Sequence, residues 1–299
     1  MMETPLISVL LPTFDRNDIL PETLSRIADQ TIGGKAIEVI VIDDADSDET
    51  ERLVSAFESS FLSLHYLAQK NEGQSKARNR GVSVAHAELV FFLGDDILLR
   101  PDVLEQHLAF HRRAIYDNVA VFGKIEMDPR LAADPFISWL HRSGLRDDFS
   151  VLAEEGYVSP VRIEAAHLSI PRKHAARVPF DETLRYYENF MWARALFRTG
   201  FLFYYLPQAV SYHFHPITLE RYGERMYEMG RTEARLARQG VAYFVRAVRS
   251  APRGRRTKVR VYNFLARITG KERYRNKYWR HYLRDKYYRG IISEQGPKP

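Results

Sequence analysis

The chain has 299 residues, 45% hydrophobic and 27% charged, with a formal net charge of +6 and no cysteine. That size suits one large domain or two small ones of ordinary soluble composition. It excludes disulfides, thiolate metal sites and cysteine nucleophiles, and no apolar run approaches the ~20 residues that span a bilayer.

Leu6 to Leu11 reads as a first strand. Pro5 and Pro12 bracket it and no basic region precedes it, so it is read as a strand and not a signal peptide. Pro12-Thr13-Phe14-Asp15-Arg16 follows as a loop, and a helix is predicted from near Pro21 with Leu20, Leu24, Ile27 and Ala28 inward. Ile37 to Ile42 is the second strand and ends in paired acids, Asp43-Asp44. Asp46 with Glu49 has capping-box spacing before a helix that buries Leu53, Val54 and Phe57. Leu62 to Leu67 is a third strand. Asn71-Glu72-Gly73-Gln74 turns into a helix with Ala77, Gly81, Val84 and Ala85 inward.

Leu89 to Leu93 is apolar throughout, as in a strand covered on both faces. It ends at Gly94-Asp95-Asp96. Adjacent carboxylates repel, and a divalent cation removes the repulsion. The residues alone leave open whether Asp96 binds a metal or caps the helix predicted from Pro101 to about Ala114. Val119 to Phe122 is a fifth strand. The alternation predicts an α/β fold, a mostly parallel sheet with helices on both faces. Ligands of such sheets bind outside the carboxyl ends of the strands. Thr13, Asp15, Arg16, Asp43, Asp44, Asn71, Gly73, Asp95 and Asp96 all fall on that edge, with Lys76, Arg78 and Arg80 nearby. There is no G-x-G-x-x-G after a strand, no P-loop, no G-x-S-x-G and no H-E-x-x-H. Acids with a metal, and cations, suit a diphosphate.

Further on, Asp134 to His141 reads as a helix carrying core residues Phe136, Ile137, Trp139 and Leu140. Arg142 to Gly156 is taken as an acceptor loop, Ala165 to Ile170 and Leu202 to Leu206 as strands. His107 and His111 stand at helical spacing and are read as solvated or partly packed, since no third ligand is evident. A helix is predicted from Leu219 to about Ala237, and basic aromatic helices from Gly240 to Gly290. Tyr262, Phe264, Leu265 and Ile268 suggest one apolar stripe there, and Tyr274, Tyr278, Trp279, Tyr282 and Tyr287 another. From Arg246 to Arg289 there are 16 Lys and Arg against Glu272 and Asp285, so this stretch carries +14 and the rest −8. A solvated face is the plain reading, an anionic membrane surface the sharper one, and a nucleic-acid patch is third.

The motifs in order resemble family-two glycosyltransferases of the GT-A fold. Ile7-Ser8-Val9-Leu10-Leu11-Pro12-Thr13-Phe14-Asp15-Arg16 is similar to their S-V-x-I-P-T-Y-N-R. Val41-Ile42-Asp43-Asp44-Ala45-Asp46-Ser47-Asp48 is similar to V-D-D-G-S-x-D. The run from Asn71 to Gly81 is similar to N-x-G-x-s-x-A-R-N-x-G, and Phe92-Leu93-Gly94-Asp95-Asp96 to the D-x-D segment, with Gly94 where the first Asp often stands. The likeness covers roughly the first 215 residues. It implies a GT-A-like domain over 1–238 with a helical extension over 239–299. It implies transfer of a sugar, with inversion, from a nucleoside diphosphate sugar to a glycan, polysaccharide or lipid-linked hydroxyl. Pro12, Thr13, Phe14 and Asp44 would frame the base, with Arg16 and Gly73 on the same edge. Arg78 would lie near the nucleotide or its diphosphate, Asp95 by ribose or phosphate, and Asp96 on Mg²⁺ or Mn²⁺. Phe180 to Asn189 resembles the family's F-D-E…E-D segment, whose acid takes the acceptor proton. Glu188 is the candidate base, with Asp181 and Glu182 as runners-up. The family's Asp falls on Asn189 and its Arg on Ala195. The family's His falls on His213, with His215 the alternative, to complete the metal shell or touch the diphosphate. Asn189 and Ala195 motivate a rival, a non-catalytic sugar-nucleotide binding protein; the tail motivates another, a nucleic-acid binding module. The expected location is cytoplasmic, peripheral on the inner face of the membrane.

Overall fold

The structure is a computed structural model that describes residues 4–145, 154–160, 163–241, 243–245 and 256–294. Most of the predicted acceptor loop, and the tail from 246 to 255, lie outside the described residues. The chain divides into two compact units, one of residues 1–132 with 144–215 and one of residues 133–143 with 216–299.

The first unit holds a sheet of β1 (Ile7–Thr13), β2 (Ile37–Asp43), β3 (Ser63–Ala68), β4 (Leu89–Leu93), β5 (Ile97–Leu99), β6 (Val119–Met127), β7 (Gly156–Tyr157), β8 (His167–Pro171) and β9 (Leu202–His213). The order is β3-β2-β1-β4-β8-β6-β9-β5, with β7 on β9. The first four strands are parallel, as the alternation predicts. Beyond β4 the sheet is mixed, because β8 inserts antiparallel between β4 and β6 while β6 and β9 are parallel. "Mostly parallel" therefore holds for one half of the sheet. β5, absent from the sequence reading, pairs antiparallel with β9.

Alternate side chains of a strand face opposite ways. Ile7, Val9 and Leu11 join Val39 and Val41 beneath α1 (Leu20–Ala28), α2 (Asp48–Ser55) and α4 (Val103–Arg113). Leu10, Ile40 and Ile42 face the other way. They pack with α3 (Gln74–Val84), α6 (Arg172–Arg177) and α7 (Glu188–Phe197) through Ala77, Ala175 and Trp192. Gly81 lets α3 come close: a Cβ there would stand 3.1 Å from Ile42 and 3.3 Å from Leu10. The cap of α2 is Ser47, which accepts from Thr50 N; Asp46 lies one residue before it at φ 54°. The predicted box is thus displaced by one position.

The second unit contains α5 (Pro135–Arg142), α8 (Leu219–Arg238), α9 (Arg256–Thr269) and α10 (Glu272–Glu294). Asp134 caps α5 through Phe136 N and Ile137 N. Phe136 and Trp139 pack on Trp279 of α10. α8 and α10 cross closely at glycines. A Cβ on Gly230 would meet Tyr287 O at 2.1 Å, and one on Gly290 would meet Tyr227 O at 1.9 Å. The aromatic stripe of α10 therefore buries Trp279 with Leu283 and Ile291 inside this unit. By contrast α9 exposes Val261, Phe264 and Ile268. No helix among the described residues is long and apolar enough to cross a membrane.

Candidate functional site

The polar residues that end β1, β2 and β4 meet at one edge of the first unit. After β4 the chain turns at Gly94, where Ile97 N donates to Gly94 O. A side chain at Gly94 would stand 3.0 Å from Ile97 and 3.4 Å from Asp96 Oδ1, a crowding that accounts for glycine here. β5 then runs against β9, with Ile97 opposite His213, and Phe214 N donates to Asp96 O at 2.9 Å. This pairing brings Asp96 to the histidines. His215 Nδ1 lies 2.8 Å and His213 Nε2 3.3 Å from Asp96 Oδ2. Arg16 Nη1 reaches the same oxygen at 3.1 Å and lies 3.4 Å from His215 Nδ1. Asp96 is therefore not the cap of α4, and both histidines join it.

Asp95 is held from the other side. Thr13 Oγ1 donates to Asp95 Oδ2 at 2.9 Å, and Thr23 Oγ1 of α1 donates to its carbonyl at 2.7 Å. Burial pushes the Asp95 carboxyl up to about 7, and the neighbouring Asp96 charge adds to this, against Arg16 and the bonds from Thr13 and Phe14 N. Burial would raise Asp96 too, but His213 and His215 hold it well below the ordinary carboxylate range. The edge thus carries one firmly ionised carboxylate beside one that titrates near neutrality. Ligand atoms of Asp96, His213 and His215 all lie within 4.8 Å of one another. One ionised carboxylate with two imidazoles fits a divalent ion, and the nitrogens favour Mn²⁺ over Mg²⁺, which prefers oxygen.

The acids after β2 accept from backbone N–H groups and from two side chains. Asp43 accepts from Ala45 N, Ser47 N and Tyr66 Oη. Asp44 accepts from Gln69 Nε2, Glu72 N and Gly73 N, and so fixes the turn that leads into α3. Gly73 has φ 95°, in the left-handed region that favours glycine. Pro12 and Thr13 are buried, whereas Phe14 is 48% exposed and offers an aromatic face at this edge. Lys76 pairs with Glu72, and Arg80 bonds Ala68 O.

A second polar cluster forms where α3 docks the segment from Phe180 to Asn189. The Asn79 amide pairs with Phe180 in both directions, donating to its carbonyl and accepting from its N–H at 2.9 Å each. Ser75 Oγ donates to Leu184 O. Arg78 is buried rather than presented on the open strand edge. It donates to Asn189 Oδ1 at 2.9 Å, lies 3.6 Å from Glu188 Oε1 and stacks on Phe180. Burial lowers its pKa, against the pull of Glu188 and Glu164. Asn189 also donates to Glu164, a residue the sequence reading missed. Glu188 is the first residue of α7, a position where the helix dipole favours a carboxylate. Tyr187 before it has φ 64°, a left-handed conformation costing a bulky residue about 1–2 kcal/mol. Asp181 and Glu182 are exposed. They hold Thr183 N and Asn79 Nδ2, which is structural work.

His107 corrects the sequence reading, whereas His111 is partly packed as expected. His107 is wholly buried, and both rings bond Ser169 Oγ, at 2.7 and 2.9 Å. His107 also meets His167, which meets Ser211 Oγ at 2.8 Å. Burial drives His167 down to about 3 and His111 to about 4, so both imidazoles are neutral, His167 in the core and His111 half-buried at its margin.

Residues 8–149 match the family described as Glycosyl transferase family 2. Validoxylamine A glucosyltransferase of Streptomyces hygroscopicus subsp. limoneus is 37% identical over 128 residues, 42% of this chain and 28% of that protein. The poly(ribitol-phosphate) beta-N-acetylglucosaminyltransferase TarP of Staphylococcus aureus is 36% identical over 100 residues, 33% of this chain and 31% of its own. The chain thus matches less than a third of the length of these curated relatives. Among solved structures, the mannosyltransferase PcManGT of Pyrobaculum calidifontis in complex with GDP-Man and Mn2+ superposes with a TM-score of 0.65 at 18% identity, covering 99% of this chain and 89% of that one. S. aureus TarS in complex with UDP gives 0.57 at 16% identity, covering 97% and 92%. Over residues 8–149 the chain is thus similar to Glycosyl transferase family 2, and over nearly its whole length it shares the fold of these solved glycosyltransferase structures.

Proposed function

We propose that the protein is a metal-dependent, inverting glycosyltransferase that moves a sugar from a nucleoside diphosphate sugar to an acceptor hydroxyl on a glycan, polysaccharide or lipid-linked molecule. The observation that carries this reading is the convergence of Asp96, His213 and His215 beside Arg16 at the carboxyl edge of the parallel strands. Phe14, with Pro12 and Thr13, frames the base. A carboxylate has about four lone-pair sites, so Asp44 keeps one for the base beyond its three backbone and amide donors. Asp96, His213 and His215 would hold Mn²⁺ or Mg²⁺, which would supply Lewis-acid stabilisation of the charge on a departing diphosphate. Arg16 supplies a fixed positive charge at the same place. Asp95 orients ribose or phosphate. Glu188 takes the acceptor proton, and Arg78, 3.6 Å away, keeps it aimed. Calorimetry of UDP and GDP with the whole protein tests the reading. Binding is expected to be far tighter with Mn²⁺ than with a chelator, and a donor and acceptor screen followed by mass spectrometry is expected to show a glycosylated product. Metal-dependent binding without turnover supports the binding-protein rival, to which Asn189 and Ala195 point.

The location that suits this chemistry is cytoplasmic, on the inner face of the membrane. In the second unit Val261, Phe264 and Ile268 are exposed at helical spacing on α9, among Lys258, Arg260 and Arg267. An apolar stripe flanked by basic residues suits an anionic interface. The whole chain is expected to sediment with anionic vesicles at low salt and to be released at high salt. A Phe264→Glu/Ile268→Glu variant is expected to remain in solution. Ending the chain at Gln239 would be a poor control, because it strips α10 from α8. Polynucleotide binding with steep salt dependence in place of vesicle binding would move the tail to the nucleic-acid reading.

A further inference from the structure

The geometry points to a transition-metal site of the Zn²⁺ class formed by Glu38, His65 and His86, at the opposite end of the parallel strands from Asp95 and Asp96. Glu38 lies near the start of β2, opposite Ser8 of β1. His65 of β3 stands opposite Ile40, two residues further on, so Ser8, Glu38 and His65 share one face of the sheet. α3 covers this face and ends at Val84. The chain extends at Ala85 and delivers His86 beside Glu38.

Glu38 is wholly buried in an otherwise apolar strand. A buried carboxylate is costly unless its oxygens are satisfied and its charge is matched. Oε2 accepts from Ser8 Oγ and from His86 N at 2.9 Å. Oε1 faces two imidazoles, with His86 Nδ1 at 2.6 Å and His65 Nε2 at 3.3 Å. His65 Nε2 is itself buried and, despite that approach, makes no hydrogen bond. Two ring nitrogens therefore converge on one carboxylate oxygen, and one of them has no partner there. The three ligand atoms lie within 4.8 Å of one another.

Metal–ligand bonds of about 2.0–2.1 Å in a tetrahedral shell separate the ligands by roughly 3.3 Å. The Glu38–His65 spacing already has that value. The His86 ring must withdraw by less than about 1 Å, and its side chain is 68% exposed and able to move. One carboxylate and two imidazoles leave a fourth position for water. The ion ties together β2, β3 and the turn from α3 into β4, which meet only through tertiary structure. Its role is to brace the strands that carry the transferase edge. It does not depend on the activity assigned above.

The test uses the full chain, stripped with a chelator, in a His213→Ala/His215→Ala background that removes both imidazoles of the other cluster. Titration with Zn²⁺ alone is expected to show one equivalent bound and a rise in melting temperature. Co²⁺ is expected to give the strong visible absorption of a tetrahedral site. Adding His86→Ala, a change at an exposed ring, is expected to weaken the binding at least about 100-fold, since even outer-shell partners of metal ligands are worth 10–100-fold. His65→Gln is expected to do the same. In the wild-type background, His86→Ala is expected to leave glycosyl transfer unchanged. No bound equivalent in the His213/His215 variant, or equal affinity with and without His86, overturns the proposal.

Discussion

Asp96→Asn is expected to abolish the metal dependence of nucleotide binding while leaving the protein folded. Asp96 Oδ2 is the one atom that His213, His215 and Arg16 all approach. Without its charge the two imidazoles have no anionic co-ligand, and Mn²⁺ binding should weaken by on the order of 10²-fold or more, above the 10–100-fold of an outer-shell change. Asn retains an acceptor for Arg16, so the variant isolates the charge from the packing. Asp96→Ala should lose metal dependence equally, but it also removes the acceptor shared by Arg16 and His215 and should melt earlier. Breaking a buried charge pair in this way costs about 3–5 kcal/mol at the upper end. The measurement is a UDP or GDP titration with Mn²⁺ and with chelator, alongside a melt. Unchanged Mn²⁺ enhancement in Asp96→Asn would remove Asp96 from the metal site.

How much of this was legible in the residues depends on the range of the interaction. β1, β2 and β4 are largely apolar runs, β2 and β4 leading into paired acids, and both the parallel pairing and the ligand edge follow from that pattern and its alternation with helices. β5 is three residues long, too short to show a period of its own. The insertion of β8 between β4 and β6 is a long-range pairing that no local period encodes. The outer half of β6 is half-buried and carries Lys124 and Glu126, so the apolar run stops at Phe122 although the strand continues to Met127. In the site, the chemical types were readable and their partners were not. Nothing local says that Arg16 meets Asp96 across 80 residues, or that Arg78 turns inward to Asn189 across 111. Glu38 stands in a strand whose other residues hide it, and His65 and His86 carry no motif spacing. The aromatic stripe of α10 was readable as amphipathic, but its cover is α8 and depends on glycines whose role appears only at the crossing.

Glu188→Gln is expected to lower turnover by about 10² to 10⁴ while nucleotide affinity stays nearly constant. Gln has the shape of Glu but cannot take a proton at neutral pH, so the loss reports the base and not the packing. The surroundings of Glu188 make this a clean change. It is 9% exposed, begins α7, and has Arg78 3.6 Å away. Asn189 supplies the second contact to Arg78 at 2.9 Å, so the guanidinium keeps a partner in the variant. Asp181→Asn and Glu182→Gln serve as controls. Their side chains hold Thr183 and Asn79, and these changes should cost little in turnover. Arg78→Lys should fall between. It keeps the charge but loses the planar fork that spans Asn189 and Glu188, so turnover should fall without loss of nucleotide binding. A kcat for Glu188→Gln equal to that of the parent, with Asp181→Asn or Glu182→Gln inactive, would move the proton transfer to the exposed pair. A fall in nucleotide affinity as large as the fall in turnover would instead place Glu188 in donor binding, since a base acting on the acceptor has no part in holding the diphosphate.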